Sequence, residues 1–198
     1  MSRDKKSIDS RVCHPVDTLE EEHQVILAVL DAMDKRADQL AAGDPLDAEF
    51  WSLAAEFLEN FLDRCHHSKE EDVLFPVLKR CGIPEEGGPL AIMKHEHVEG
   101  RALNERLRGG AEQGKRDEVL RAVRALCYLL HEHIAKEENV LFQMARQMLD
   151  HSHVEEVLKG FVRVEKDIMG EGTHCKYVGL ARQLCAESGV PFDQRRDP

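Results

Sequence analysis

The sequence predicts an all-α protein, an up-down-up-down four-helix bundle with one or two extra C-terminal helices packed on it. Three observations predict it. Four long segments repeat their apolar residues at three- and four-residue spacing, the period of an amphipathic helix. No segment alternates in the manner of a strand. The joints between the segments are short and rich in Gly and Pro, and short connections make antiparallel neighbours.

Residues 1–15 read as a polar leader ending at Pro15. In the first helix Asp17 or Thr18 can cap the free N–H groups, and Leu19, His23, Ile26, Leu27 and Leu30 share one face. Gly43-Asp44-Pro45 ends it. The second helix is expected from about residue 46 to 80, with Leu58, Leu62, His66, Glu70, Leu74 and Val77 on one stripe. Pro76 should kink or shorten it. Gly82, Pro84, Gly87, Gly88 and Pro89 then break the chain before a third helix of roughly 90–109, which Gly109, Gly110 and Gly114 should end or loosen. The fourth, about 116–149, carries Leu126, Leu129, Leu130, His133, Glu137, Val140, Leu141 and Met144. The bundle thus spans 16–149. Residues 150–188 read as a helical extension broken around Gly170 and Gly172, and 189–198 as a flexible tail.

A chain of 198 residues suffices for one domain with a sizeable core. Its net charge of −11 argues against nucleic acid as the main partner, because phosphate binding needs a basic face. No apolar run approaches a membrane span, and no apolar segment follows the polar start as in a secretory signal. The expected location is cytoplasmic. None of the six cysteines forms a Cys-x-x-Cys pair, so they read as reduced, mostly buried thiols rather than zinc or iron–sulfur ligands. The unusual feature is eleven histidines, several beside glutamates.

Two segments nearly repeat at an offset of 67 residues. His66-His67-Ser68-Lys69-Glu70-Glu71 ends in Val73-Leu74-Phe75, and His133-Ile134-Ala135-Lys136-Glu137-Glu138 ends in Val140-Leu141-Phe142. Residues four apart share a helix face, so each His-x-x-x-Glu points an imidazole and a carboxylate the same way. Both pairs interrupt apolar stripes, where an unpaired carboxylate must take up a proton or find a cation. A divalent metal satisfies them together. The other two helices carry Glu22-His23 and Glu96-His97, where His97 is preferred over His95 because the two dipeptides mirror each other. Imidazole and carboxylate ligands suit iron, with zinc or manganese as competitors.

With these residues the chain resembles the hemerythrin-like, HHE cation-binding family over roughly residues 16–149. The resemblance rests on Glu21-Glu22-His23, on His66 through Glu71 with Leu74-Phe75-Pro76, on Glu96-His97 with Gly100-Arg101, and on His133 through Phe142. It implies two non-haem iron ions with an oxo or hydroxo bridge. His23, His66, His97 and His133 would be terminal ligands, and Glu70 and Glu137 would bridge. The oxygen-carrying members place a further histidine one turn after the third-helix ligand, where this chain has Arg101. One iron would then have fewer histidines, with His67, Glu71, Glu99 or water in compensation, which favours reaction with small ligands over reversible carriage.

Other residues receive blander readings. Adjacent α-helical positions point about 100° apart, so His67 is only a possible additional ligand. His95, His131, His151 and His153 read as partly exposed, and His174 as a residue of the extension. Tyr128, Trp51 and the phenylalanines read as core. The expected function is binding of dioxygen, nitric oxide or peroxide for sensing, storage or detoxification. The alternatives are a di-iron enzyme reducing peroxide or nitric oxide, or an iron-responsive protein-interaction module.

Overall fold

The computed structural model describes residues 14–170 and 172–192, all of them in helices or the turns between them. Most of the polar leader and the last six residues, Cys13 included, lie outside the described residues. The first helix, α1, is Pro15–Ala42. The second, α2, runs over 48–80. It is α-helical at Ala48–Phe57, π-helical at Leu58–His67 and Glu70–Leu74, and α-helical again at Phe75–Arg80. The third, α3, is Pro89–Glu112. The fourth, α4, runs over 116–148, with a π turn at Glu137–Leu141 between α-helical Arg116–Lys136 and Phe142–Met148. In the extension, α5 joins His151–Arg163 to a π-helical Val164–Met169, and α6 is Thr173–Ser188.

The cap of α1 is His14, not Asp17 or Thr18. Its Nδ1 accepts from the Val16 N–H, and the Asp17 carboxylate accepts from the His14 N–H in return. Pro15 at the first helical position loses no hydrogen bond and is pre-set for the helix, which moves the start forward. Helix α2 continues past Pro76 to Arg80. A π turn lies immediately before that proline, where its missing N–H would interrupt an α ladder. Helix α3 passes through Gly109 and Gly110 as well. A Cβ on Gly110 would stand 3.2 Å from Val119 Cγ2, so this glycine serves the close approach of α4 instead of a stop.

Two apolar clusters fill the bundle. One joins Val16 and Leu19 of α1 to Leu74, Phe75 and Leu78 of α2, Leu90 and Met93 of α3, and Leu141 and Phe142 of α4. The other joins Val29 and Met33 to Phe50, Trp51 and Phe57, then Leu103 and Leu107, then Val119 and Leu126. The four helices cross between the clusters in alternate directions, which is up-down-up-down topology. Helices α5 and α6 lie over α1 and α2, sending Phe161 into the first cluster and Tyr177 and Leu184 into the second.

Two residues expected inside are exposed. Tyr128 is 73% exposed. It precedes His133 by five residues, so it stands about 140° around the helix from it. Val140 is 50% exposed, because the π turn that contains it rotates it out of the stripe.

Candidate metal centre

Between the two apolar clusters lies a polar layer. Helix α1 contributes His23, α2 His66, His67 and Glu70, α3 His97, and α4 His133 and Glu137, and all seven are buried. Their ligand atoms form two groups, each with its atoms within 4.8 Å of one another. One group is His23, His66, Glu70 and Glu137. The other is His67, Glu70, His97 and His133. Each glutamate faces both. Glu70 Oε1 is 3.7 Å from His66 Nε2 and its Oε2 is 3.4 Å from His97 Nε2. Glu137 Oε2 is 3.2 Å from His23 Nε2 and its Oε1 is 3.4 Å from His133 Nε2.

The imidazoles are oriented from behind. His23 Nδ1 donates to Glu138 (3.0 Å), His66 Nδ1 to Glu22 (3.0 Å), His97 Nδ1 to Glu71 (2.6 Å) and His133 Nδ1 to Glu96 (2.9 Å). His67 Nδ1 reaches Asp63 at 3.4 Å. A carboxylate only accepts, so each Nδ1 carries a proton and each ring turns its Nε2 inward. Those nitrogens converge. His23 and His66 Nε2 are 3.1 Å apart, as are His97 and His133 Nε2. Two ligand atoms each about 2.1 Å from one ion, at about a right angle, are about 3.0 Å apart. All four oxygens of Glu70 and Glu137, and His67 Nε2, are buried without a hydrogen-bond partner. Orphaned acceptors of this kind are costly unless a cation serves them. The donor set therefore fits two metal ions.

Electrostatics agree. Burial and the neighbouring Glu137 charge push the Glu70 carboxyl well above its usual range. Burial alone would raise Glu137 too, but His133 and His23 pull it down. Burial works against charge on His23 as well, yet Glu137 and Glu138 lift it to about 9. Burial and the charge of His23 lower His66 to about 4, and burial beside His97, His66, His133 and Arg101 holds His67 well below the usual range. Without a cation, burial and like charge thus disfavour an ionised Glu70, and a metal ion would relieve both.

Both His66 and His67 face inward because Leu58–His67 is π-helical. A π-helix turns less per residue than an α-helix, so the 100° separation of an α-helix does not apply. His67 stacks on His97 with ring centroids 3.7 Å apart. Arg101 turns away and pairs with Asp63 (2.7 Å) and Glu71 (3.2 Å). His67 of α2 therefore supplies the third imidazole of one group, where α3 has Arg101. Glu71 stands behind His97, and Glu99 is exposed.

Residues 14–145 match the family model of the hemerythrin HHE cation binding domain. The chain belongs to that family. Hemerythrin-like domains bind cations, and the two His/Glu groups are where this one could hold them. Uncharacterised proteins of Mycobacterium bovis and Mycobacterium tuberculosis are 23% identical to it over 156 residues. That is 76% of this chain and 60% of theirs, so the chain spans about three fifths of the length of these relatives. No solved structure matches it.

The remaining histidines stay outside the two groups. His95 is exposed. His131 bonds the Cys127 carbonyl (2.8 Å), His151 pairs with Glu155, and His153 pairs with Asp150. His174 Nε2 is 3.4 Å from Glu22 Oε1, behind His66 and away from the inward-facing nitrogens. Cys65, Cys127 and Cys185 are buried, Cys81 is half-buried and Cys175 is exposed. The orienting role of Glu22, Glu71, Glu96 and Glu138 was missed from sequence, although each adjoins a histidine or glutamate of the site. The signal was present in the doubled dipeptides Glu22-His23 and Glu96-His97, Glu70-Glu71 and Glu137-Glu138.

Proposed function

We propose that this hemerythrin-like chain holds two iron ions and binds a small ligand, dioxygen, nitric oxide or peroxide, for sensing, storage or detoxification. The supporting observation is the unequal number of imidazoles, three in one group and two in the other. His67, His97 and His133 would hold one iron, His23 and His66 the other, with Glu70 and Glu137 bridging. The position with two imidazoles has more room for an external ligand. When bound, an iron pair with a bridging oxo or hydroxo group supplies redox chemistry and an exchangeable coordination position. The protein orients the imidazoles and holds the site in a buried layer between its two apolar clusters. A cleft of about 150 Å³ reaches His67 between α2 and α3, past Leu62, Gly100, Arg101 and Leu126. The cleft opens on the three-imidazole side, and its size, below the roughly 300–1,000 Å³ typical of sites for larger organic ligands, fits a small ligand reaching the metal pair from there.

Metal analysis with optical spectra before and after reduction tests this reading. The expected result is two irons per chain and near-ultraviolet oxo-bridge bands that bleach on reduction. His67→Ala is expected to lose about one iron per chain. Unchanged iron content in that variant would return His67 to a packing role. Sustained consumption of peroxide or nitric oxide would move the function to a reducing enzyme. Zinc or no metal, with no spectral change after iron loading, would leave the metal-responsive interaction module as the better reading.

A further inference from the structure

The contacts behind the site come in two matching sets. On one side Lys136 pairs with Glu96, whose other oxygen accepts from His133 Nδ1. On the other, Lys69 donates to Glu22 (2.5 Å), whose other oxygen accepts from His66 Nδ1. The Lys136 side chain is 39% exposed, whereas that of Lys69 is 0% exposed. The difference is the extension. Lys69 Nζ also donates to Glu165 (2.5 Å), from the π-helical end of α5, and lies 5.7 Å from the Phe161 ring centre. From α6, His174 reaches the Glu22 oxygen that Lys69 holds, and its ring packs 5.2 Å from Phe61.

We propose that helices α5 and α6 form a clamp on the two-imidazole metal position, with Lys69, shared between Glu22 and Glu165, as the positioning residue that joins them. The inference rests on the dinuclear reading above and adds a direction of coupling. Lys69 and His174 pin one oxygen of Glu22, which leaves the other aimed at His66 Nδ1 and so sets the angle at which His66 Nε2 enters the site. A hydrogen-bonded carboxylate behind a metal-bound histidine governs ligand orientation and affinity. Coupling of this kind is reciprocal. An ion at the His23/His66 position fixes His66, hence Glu22 and Lys69, and so tightens α5 and α6 onto the bundle. The three-imidazole position, backed by Glu96 and the more exposed Lys136, has no such lever from the extension. The extension would then report the occupancy of one metal position to the protein surface.

The test uses zinc as the probe on the full chain. Zinc transfer to a colorimetric chelator is followed in wild type, Lys69→Met, Glu165→Gln and Lys136→Met, with hydrogen exchange of 151–188 measured with and without zinc. Two release phases are expected in wild type. Lys69→Met should speed one of them about tenfold, the low end of what such outer contacts contribute, and leave the other within about twofold. Glu165→Gln removes a surface carboxylate and keeps the packing, and should speed the same phase by a smaller factor. Lys136→Met should change neither phase by more than about twofold. Zinc should slow exchange in α5 and α6 of wild type but not of Lys69→Met. Equal acceleration of both phases, an effect of Lys136→Met as large as that of Lys69→Met, or zinc-independent exchange in the extension would overturn the clamp alone. Fewer than two zinc ions bound to wild type would overturn the dinuclear reading and the clamp with it.

Discussion

The two His-x-x-x-Glu halves of this bundle began from nearly the same ten residues and ended in different surroundings. Around His66 and Glu70 the chain carries a second imidazole, His67, and its outer face is covered by α5 and α6. Around His133 and Glu137 the residue in the place of His67 is Ile134, and the outer face meets solvent. Val73 and Val140 show the contrast. Val73 is packed so tightly against Gly160 of α5 that a Cβ there would stand 2.3 Å from it, whereas Val140 is half exposed. Phe61 and Tyr128 occupy equivalent places, one buried under His174 and the other out in water. A repeat in sequence therefore determines which groups face inward, while the surroundings of each copy determine how tightly they are held.

Breaking the feature that both halves share should have the largest effect. Glu70→Ala removes a carboxylate that faces both groups, and iron content is expected to fall from about two per chain to below one. Retention of one tightly held iron would mean that Glu70 serves a single position.

Ile134→His asks whether residue identity or helix winding selects the third imidazole. Residue 134 lies in the α-helical part of α4 and is buried in an apolar cluster. The added ring is expected to miss the metal and cost about 1–3 kcal/mol, the usual penalty for an unsatisfied buried polar group. Lower thermal stability with unchanged metal spectra would bear this out. A spectrum shifted by an added nitrogen ligand would show that the π winding of α2 is not required.

The smallest effects concern the outer faces. Gly160→Ala should destabilise the protein by about 1–2 kcal/mol. Overpacking costs about 1–3 kcal/mol against a stiff Val73, offset in part by the better helix propensity of alanine. Val140→Ala at the matching place should stay within about 0.5 kcal/mol, as exposed substitutions do. Denaturant midpoints measure both, and equal losses would mean that the extension does not press on α2.

Much of the site was legible because the i, i+4 rule and an apolar stripe are local properties. His23, His66, Glu70, His133 and Glu137 follow from them, His97 follows from the mirrored Glu-His dipeptide, and the structure brings all six into one layer. His67 was harder to read, since its inward direction depends on a π winding that no local spacing announces. Tyr128 was misread because its exposure depends on what covers that face, since the equivalent Phe61 is buried under His174.

The sequence by itself determined the four-helix architecture, the extension and the doubled His/Glu pairs, because helical periodicity, turn residues and repeats are written along the chain. Only the tertiary structure decided which carboxylate stands behind which imidazole, that Arg101 turns away while His67 turns in, and that one half of the site is covered. Those outcomes depend on contacts between helices far apart in sequence, where burial and a shared partner, as for Lys69 between Glu22 and Glu165, choose among side chains that a local pattern treats alike.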